Sequence, residues 1–389
     1  MSRRGTIKQD PGGTWSLVVD TAPTGTVRRQ IRRRGFRTKR EAQAELNRLL
    51  HSLDEGAFVK PDRITVGEYL QAWLDGVEVA GHRPSTVESY RRNLRLHVIP
   101  TLGTARLQAL GPLDLDRLYA RLLQDGRADD SGGLSPRTVR YLHTILGRAL
   151  ADAERKGLVI RNVTKAATPP SAKAARAPEM AFWTPGELHR FLAFMADDAL
   201  FPLVRLATMT GMRRGEVCGL LWEDVKLDER RLLVRRQLNV LNGGLLFQDH
   251  LKTDHGRRTV GVDIETVAVL RAHRAKQAEG RLLAGSLWHD HGLVFTGPFG
   301  DPLHPHQVSR MFSRRAQQAG LRPIRFHDLR HSHCAHLIAA GRNVKAISRR
   351  LGHASVSFTL DRYGHLLPDD DSEAAEAVAA MIDKAAGQS

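Results

Sequence analysis

The sequence predicts a multidomain, mainly α chain with small β-sheets, and three observations carry that prediction. At 389 residues it exceeds one ordinary domain, so two or three are expected. Helix-start boxes, Ser/Thr followed three residues later by Glu, occur at Thr65/Glu68, Ser85/Glu88 and Thr184/Glu187. Strand-like alternation is confined to the front of the chain and to 231–262. The resulting division is a small sheet with one helix at 1–62, a helical bundle at 63–165, a basic linker at 166–181 and a mixed α/β domain at 182–389. Hydrophobic residues make up 41% and charged residues 26%, enough apolar surface for packed cores and too much for wholesale disorder.

At the front, Pro11-Gly12-Gly13 forms a turn and Thr14 to Asp20 alternates as a strand. Val27 to Arg34 follows as a second strand, and Thr38 opens an amphipathic helix to about Leu53 through Ala42, Leu46, Leu49 and Leu50. Eight basic residues crowd positions 28–40: Arg28, Arg29, Arg32, Arg33, Arg34, Arg37, Lys39 and Arg40. Such a cluster repels itself unless phosphates neutralise it, so this strand, with Trp15 and Phe36 nearby, is read as a surface for DNA rather than a merely solvated face.

The second segment contains four helices, about 66–75, 86–98, 112–124 and 136–156, the last opened by Ser135-Pro136. Four amphipathic helices make a compact bundle. Tyr69, Tyr90, Tyr119 and Tyr141 are placed on its core faces. The Ala/Pro/Lys/Arg stretch 161–181, with Glu179 its one acid, reads as an extended linker. Beyond it the chain is helical to about 220, strand-like at 231–240, 245–248 and 258–262, and helical again thereafter. Trp183 and Trp222 are placed in the core.

Charge and composition restrict the function. The net charge is +17, and residues 1–50 contribute +8 of it, which points to a polyanion, nucleic acid before a membrane surface. No apolar run approaches the roughly 18 residues of a membrane span, and Met1 to Gly5 opens no signal core, so a cytoplasmic, nucleoid-associated protein is expected. Cys218 and Cys334 are the only cysteines, which excludes a disulfide framework or a thiolate cluster and suits small buried apolar side chains.

Polar residues with a shared chemical logic are dispersed through the third segment. TMTGMRRGEVCGLL (208–221) carries Arg213, and RFHDLRHSHCAHL (325–337) sets His327 and Arg330 three apart on a helix. RLGH (350–353) ends in His353, and TLDRYGH (359–365) carries Tyr363. Lys252 lies in LKTDHGRRTV, at a turn between strand-like pieces. Guanidinium forks clamp the nonbridging oxygens of a phosphodiester and neutralise charge developing there. A tyrosine, with a pKa of about 10, becomes a covalent nucleophile beside a base or a strong positive field. A lysine can protonate a departing sugar oxygen. His327, His331, His333, Cys334 and His336 also raise zinc, but no second cluster closes a tetrahedron, and no metal is expected. His250, His255, His289 and His291 face solvent or DNA without a catalytic case.

In order and spacing, TGMRRGE, LKT…GRRTV, HDLRH, LGH and TLDRYGH resemble the motifs of the tyrosine recombinases, the phage and mobile-element integrases. From Arg213 it is 114 residues to His327, then 3 to Arg330, 23 to His353 and 10 to Tyr363. Each motif alone is weak; the ordered set over roughly 180–370 is strong. Residues 65–165 are similar to the family's helical core-binding domain, and 1–60 to the arm-binding domain of integrases from actinomycete elements and phages. The one departure noted is Gly256, where many members carry Ser.

The resemblance implies that Arg213 and Arg330 hold the scissile phosphate while Tyr363 attacks it, leaving a 3′-phosphotyrosine and a free 5′-hydroxyl. It makes Lys252 the general acid, His327 an aid to proton transfer at the tyrosine, His353 a donor to the phosphate and Glu216 a support that orients the arginine or a histidine. It implies no cofactor and no ATP, double-stranded DNA at core-type and arm-type sites, a homotetramer on synapsed DNA, and as further partners an excisionase and a DNA-bending host protein. Residues 372–385, with a stripe of Ala375, Val378, Ala379 and Ile382, are read as a tail helix that packs on a neighbouring protomer or on its own domain. Two rival readings are a noncatalytic DNA-binding regulator, which a missing Tyr363, Arg213 or Arg330 would favour, and a nuclease or type IB topoisomerase-like enzyme, which would not need the arm-like front.

Overall fold

A computed structural model describes residues 5–20, 30–54, 62–127, 131–176, 180–241, 243–248, 257–353, 355–366, 376, 379–380 and 382–383. Arg28, Arg29, Lys252, Gly256, His250, His255 and most of the expected tail helix lie outside the described residues. The chain forms two compact units, 1–177 and 178–389. Among the described residues no helix is long and apolar enough to cross a membrane.

The first unit opens with an antiparallel sheet, β1 (Gly5–Gln9), β2 (Trp15–Asp20) and β3 (Gln30–Phe36), followed by helix α1 (Lys39–Asp54). Strand β1 is absent from the sequence reading: Ile7 is its one large apolar residue, so alternation leaves no trace and only pairing with β2 defines it. Leu17 and Val19 bury against Leu46 and Leu49 of α1, with Ile7 and Phe36 packed at the edge. Register then puts Thr6, Val18 and Arg32 on one side of the sheet.

The bundle comprises α2 (Val66–Val79), α3 (Pro84–Asn93), α4 (Ile99–Leu102), α5 (Pro112–Asp125) and α6 (Pro136–Arg155). The Thr65 box forms as expected, with the Glu68 N–H donating to Thr65 Oγ1 at 3.2 Å and the Thr65 N–H to Glu68 Oε2 at 2.8 Å. The Ser85/Glu88 box does not form. Pro84, with its preset φ, starts the helix two residues earlier behind Arg83, which leaves Ser85 inside the first turn. Nor does the helix stop at 98: a wide π turn, Leu94–Val98, leads into α4, with the Ile99 N–H reaching back to the Leu94 carbonyl just before Pro100, which has no N–H to give. Tyr69 donates to the Ala149 carbonyl at 2.6 Å, Tyr90 stacks on Trp73 and Tyr119 meets His143 Nδ1, but Tyr141 is 38% exposed rather than in the core. The start of the expected linker is also seated on the bundle. Asn162 Nδ2 donates to the Gly147 carbonyl at 2.9 Å, and the Thr168 N–H donates to Asp116 Oδ1 at 2.6 Å.

In the second unit, α7 (Pro185–Phe194), α8 (Phe201–Thr210) and the short α9 (Arg214–Cys218) precede the strands. The run expected at 231–240 divides in two. Strand β5 (Arg231–Val234) pairs with β4 (Val225–Lys226) and β8 (Arg258–Gly261), whereas β6 (Gln237–Leu241) and β7 (Gly244–Gln248) form a separate hairpin. Helices α10 (Ile264–Ala284), α11 (Pro305–Gln318), α12 (Asp328–Ala339), α13 (Val344–Leu351) and α14 (Val356–Tyr363) complete the unit. Its core is built on Trp183, Phe191, Phe312 and Phe326, successive rings lying 4.8, 5.3 and 5.5 Å apart between centroids. Trp222, expected in the core, is only partly buried against it. The Trp183 N–H donates to Ser332 Oγ at 3.0 Å and its carbonyl meets His336 Nε2 at 2.9 Å, so the core tryptophan also fixes α12. Cys218 and Cys334 are both buried.

Replacing Thr65 by Ala removes the side-chain cap of α2 and is expected to cost about 1 kcal/mol. Hydrogen exchange should show it as weaker amide protection through α2, with α10 in the other unit unchanged.

Candidate active site

The site is assembled where helices end. Apolar α8 stops at Gly211, whose φ of 65° is left-handed and whose missing Cβ would lie 2.6 Å from Leu351 Cδ2 and 2.8 Å from His333 Cδ2. Two residues on, Arg213 is extended and caps α9, its N–H donating to Glu216 Oε2 at 2.8 Å. Its guanidinium donates through Nη1 to Glu216 Oε1 at 2.7 Å and through Nη2 to the Gly352 carbonyl at 2.9 Å, while the side chain remains 36% exposed. Gly352 is the left-handed C-cap of α13.

Glu216 is 1% exposed and lies between two arginines. Arg258, also buried, donates Nη2 to Glu216 Oε2 at 2.8 Å and Nη1 to Oε1 at 3.1 Å, and its Nε reaches the Arg350 carbonyl at 2.7 Å. Burial alone would raise the Glu216 pKa; the Arg258 fork, then the charges of Arg213 and Arg330, reverse that and hold it at about 2. From α12, Arg330 donates Nη1 to the Gly211 carbonyl at 2.9 Å, and its Nη2, buried, has no hydrogen-bond partner among the described residues. Burial first and Arg213 next press Arg330 to about 9, still protonated at neutral pH. A buried donor on a fixed cation, beside a second, partly exposed guanidinium, is a receptor for an oxyanion.

His353 follows Gly352 and is buried, with Nδ1 held by Thr359 Oγ1 at 2.7 Å, which leaves Nε2 to meet a ligand. Burial, then Arg330 and Arg213, depress its pKa to about 3, so it is neutral at pH 7. Tyr363 is the last residue of α14 and 2% exposed, packed with Cys334, Ile338, Ile347 and Leu351. Burial, above all, raises its phenol pKa. Its hydroxyl is hydrogen-bonded to Nδ1 of His331, not to His327. His327 begins α12 with an exposed side chain and stands edge-on to the His331 ring at 5.2 Å.

The described residues therefore bring together Arg213, Glu216, Arg330, His353 and Tyr363, with His327 beside His331; the expected general acid, Lys252, falls outside them. Two members of the constellation are missing from the sequence reading. Arg258 stands in the GRRTV run and faces inward with Val260, a signal the strand alternation held. His331 was weighed only as a possible zinc ligand; among the described residues no group of three or more His, Cys, Asp and Glu is placed to hold a metal. In the N-terminal region Arg32 and Arg34 of β3, Arg37 just after it and Lys39 and Arg40 at the start of α1 are exposed, whereas Arg33 turns toward α1 and pairs with Glu45.

Three family models match in the order of the domains: an arm DNA-binding domain at 7–53, a phage integrase N-terminal SAM-like domain at 65–123, and the phage integrase family itself at 182–369. An integrase of Streptomyces ambofaciens is 30% identical over 361 residues, covering 90% of this chain and 88% of the relative. The chain belongs to the phage integrase family. The fold of this integrase-family chain is also that of the Tn1549 transposon integrase in complex with circular intermediate DNA, with a TM-score of 0.64 at 20% identity over 81% of this chain and 99% of the other. A lambda integrase tetramer bound to a Holliday junction gives 0.57 at 17% identity over 92% and 97%.

For this family member the Glu216 cluster sets an acid limit. Its carboxyl titrates at about 2 in place of an ordinary 4.5, so the stability it contributes is present above about pH 4.5 and is lost as pH falls toward 2. Glu216→Gln leaves the arginines without a counter-charge and should cost about 3 kcal/mol near pH 7. Urea unfolding of both proteins should show that gap narrowing below about pH 4.5; a constant gap would mean the carboxylate is not the charged partner.

Proposed function

We propose that this chain is a site-specific DNA recombinase that cuts and rejoins duplex DNA at attachment sites through a 3′-phosphotyrosine, integrating a mobile element or prophage. The observation that carries the proposal is the buried Nη2 of Arg330, without a partner among the described residues, beside the partly exposed fork of Arg213. Two cations fixed by helix-end carbonyls and one carboxylate suit a phosphodiester, whose charge grows in the transition state.

In this reading, Arg213 and Arg330 grip the nonbridging oxygens and His353 donates to the phosphate. The Tyr363 oxygen forms a bond to phosphorus while the bond from phosphorus to the 5′-oxygen breaks, and Lys252 gives that oxygen its proton. The 5′-hydroxyl of the partner strand then attacks the phosphotyrosine and releases the enzyme. One phosphoester replaces another at each step, so ATP is not needed. Glu216 orients Arg213, and His327 assists from the tyrosine side. A noncatalytic regulator would have no use for so constrained a tyrosine among buried cations.

The N-terminal sheet and the start of α1 would take a second class of DNA site, with Arg32, Arg34, Arg37, Lys39 and Arg40 on phosphates, Arg28 and Arg29 continuing the same basic run, and Arg33 held on Glu45. The lambda integrase tetramer on a Holliday junction supports a homotetramer on synapsed DNA as the working form. An excisionase and a DNA-bending host protein would then bias its direction.

Tyr363→Phe removes only the attacking oxygen. On a nicked suicide substrate carrying the element's own attachment site it should form no covalent adduct and still bind; an adduct from this variant would move the nucleophile elsewhere. The role of Lys252 is tested by replacing the bridging 5′-oxygen with sulfur, which leaves with little need of a proton. Lys252→Ala should recover most of its lost cleavage rate on the sulfur substrate. Equal defects on both substrates would make Lys252 a phosphate contact and not an acid.

A further inference from the structure

We infer that His331, a residue to which the motif comparison gave no catalytic role, is the base that takes the proton from Tyr363. The inference rests on the reading of Tyr363 as nucleophile and adds the group that activates it.

Three observations carry it. His331 is buried and its Nδ1 is the hydrogen-bond partner of the Tyr363 hydroxyl, whereas His327 forms no hydrogen bond to that oxygen among the described residues. On its other side, His331 Nε2 faces Asp328 Oδ1 at 4.0 Å, one helical turn earlier. Asp328 is itself buried and fixed by Arg325, whose N–H reaches Oδ2 at 2.7 Å and whose Nη2 reaches Oδ1 at 2.8 Å. A carboxylate beside Nε2 favours the proton on that nitrogen, which leaves the lone pair of Nδ1 directed at the phenol. One turn of α12 thus sets a carboxylate and an imidazole in line with the hydroxyl at the end of α14, in the order of an activated nucleophile.

The electrostatics leave His331 its lone pair but make it a weak base, so the proton can move only as the tyrosyl oxygen passes its charge to phosphorus. Burial and the neighbouring His327 depress His331 to about 4, so it is neutral, and able to accept a proton, at pH 7. The phenol is buried and its pKa raised, so it does not ionise unaided. In the step proposed, the proton of the Tyr363 hydroxyl moves to His331 Nδ1 as the oxygen bonds to phosphorus and the bond to the 5′-oxygen breaks. Asp328 offsets the imidazolium formed. On rejoining, the tyrosyl oxygen leaves phosphorus and recovers the same proton. His327, edge-on to His331, then gives its assistance on the tyrosine side through that ring, by holding the base in place.

A change in the acidity of the nucleophile separates a base from a hydrogen-bonding prop. His331→Asn keeps a polar atom near the Nδ1 position without a basic nitrogen. His331→Ala removes both, and core-site binding reports that each variant is folded. Adduct formation on the suicide substrate is measured with Tyr363 and with 3,5-difluorotyrosine at 363, whose hydroxyl ionises far more readily. With tyrosine, the Asn variant should be slower by about 10²-fold or more, within the usual range for a general base. With difluorotyrosine that defect should shrink at least about tenfold, since less base is needed. The Ala variant should regain adduct formation with added imidazole. If the defect is the same with both phenols and imidazole does nothing, or if the variants cleave normally, His331 only holds the ring and the proposal fails. Adduct formation by the difluorotyrosine protein would meanwhile leave Tyr363 as nucleophile intact, so the two readings fall separately.

Discussion

The catalytic unit depends on one buried negative charge. Glu216 lies in the interior with Arg258 and Arg213 on its two oxygens and the charge of Arg330 close by. Burying a lone carboxylate costs several kcal/mol, and burying guanidiniums beside one another costs more through repulsion; each makes the other tolerable. Because its two arginines also bond to the carbonyls of Arg350 and Gly352, this carboxylate connects α9, β8 and the end of α13. With three guanidiniums against one carboxylate the cluster stays positive, and in the proposed reaction these charges would attract and align a phosphodiester from positions already set.

The arginines are aimed by helix ends. Arg330 donates to the carbonyl of Gly211 after α8, and Arg213 to that of Gly352 after α13. Both glycines are left-handed caps, and the carbonyls at a helix C-terminus carry partial negative charge that suits a cation. At Gly211 the requirement is twofold, for the positive φ and for the space that Leu351 and His333 occupy. Each guanidinium thus commits part of its donor fork to the scaffold, and the proposed function gives the remainder to substrate. That division of labour explains why the two motifs, TGMRRGE and RLGH, carry glycine close to the residues that matter.

Much of this was legible because chemistry forces residue types. The ordered motifs located Arg213, Glu216, Arg330, His353 and Tyr363, and the boxes at Thr65 and Thr184 marked helix starts that the structure contains. Where local signals competed, the reading failed. Pro84 overrode the Ser85 box, and the turn before Pro100 widened rather than ended. Strand β1 has too little apolar pattern to register without its partner. Arg258 and His331 escaped for a different reason: each is defined by what it touches in space, a carboxylate 42 residues away in one case and a phenol 32 residues away in the other. Arg33 shows the reverse error, since a basic run read as one surface alternates across a strand and sends that member to Glu45.

The position of Tyr363, the proposed nucleophile, follows from the same economy of charge. A phenol exposed beside several arginines would see its anion stabilised at all times and would be reactive toward any phosphate it met. Tyr363 instead ends α14 among Cys334, Ile338, Ile347 and Leu351, where burial raises its pKa against the pull of Arg330. The two influences oppose each other by design of the fold: the apolar cluster stabilises the hydroxyl and the cations stabilise the phenolate. Ionisation is then favourable chiefly as the oxygen passes its charge to phosphorus, when the arginines can hold that charge on the phosphoryl oxygens. Reactivity is thereby tied to a correctly seated diester, which is the condition under which cutting a chromosome can be followed by rejoining it.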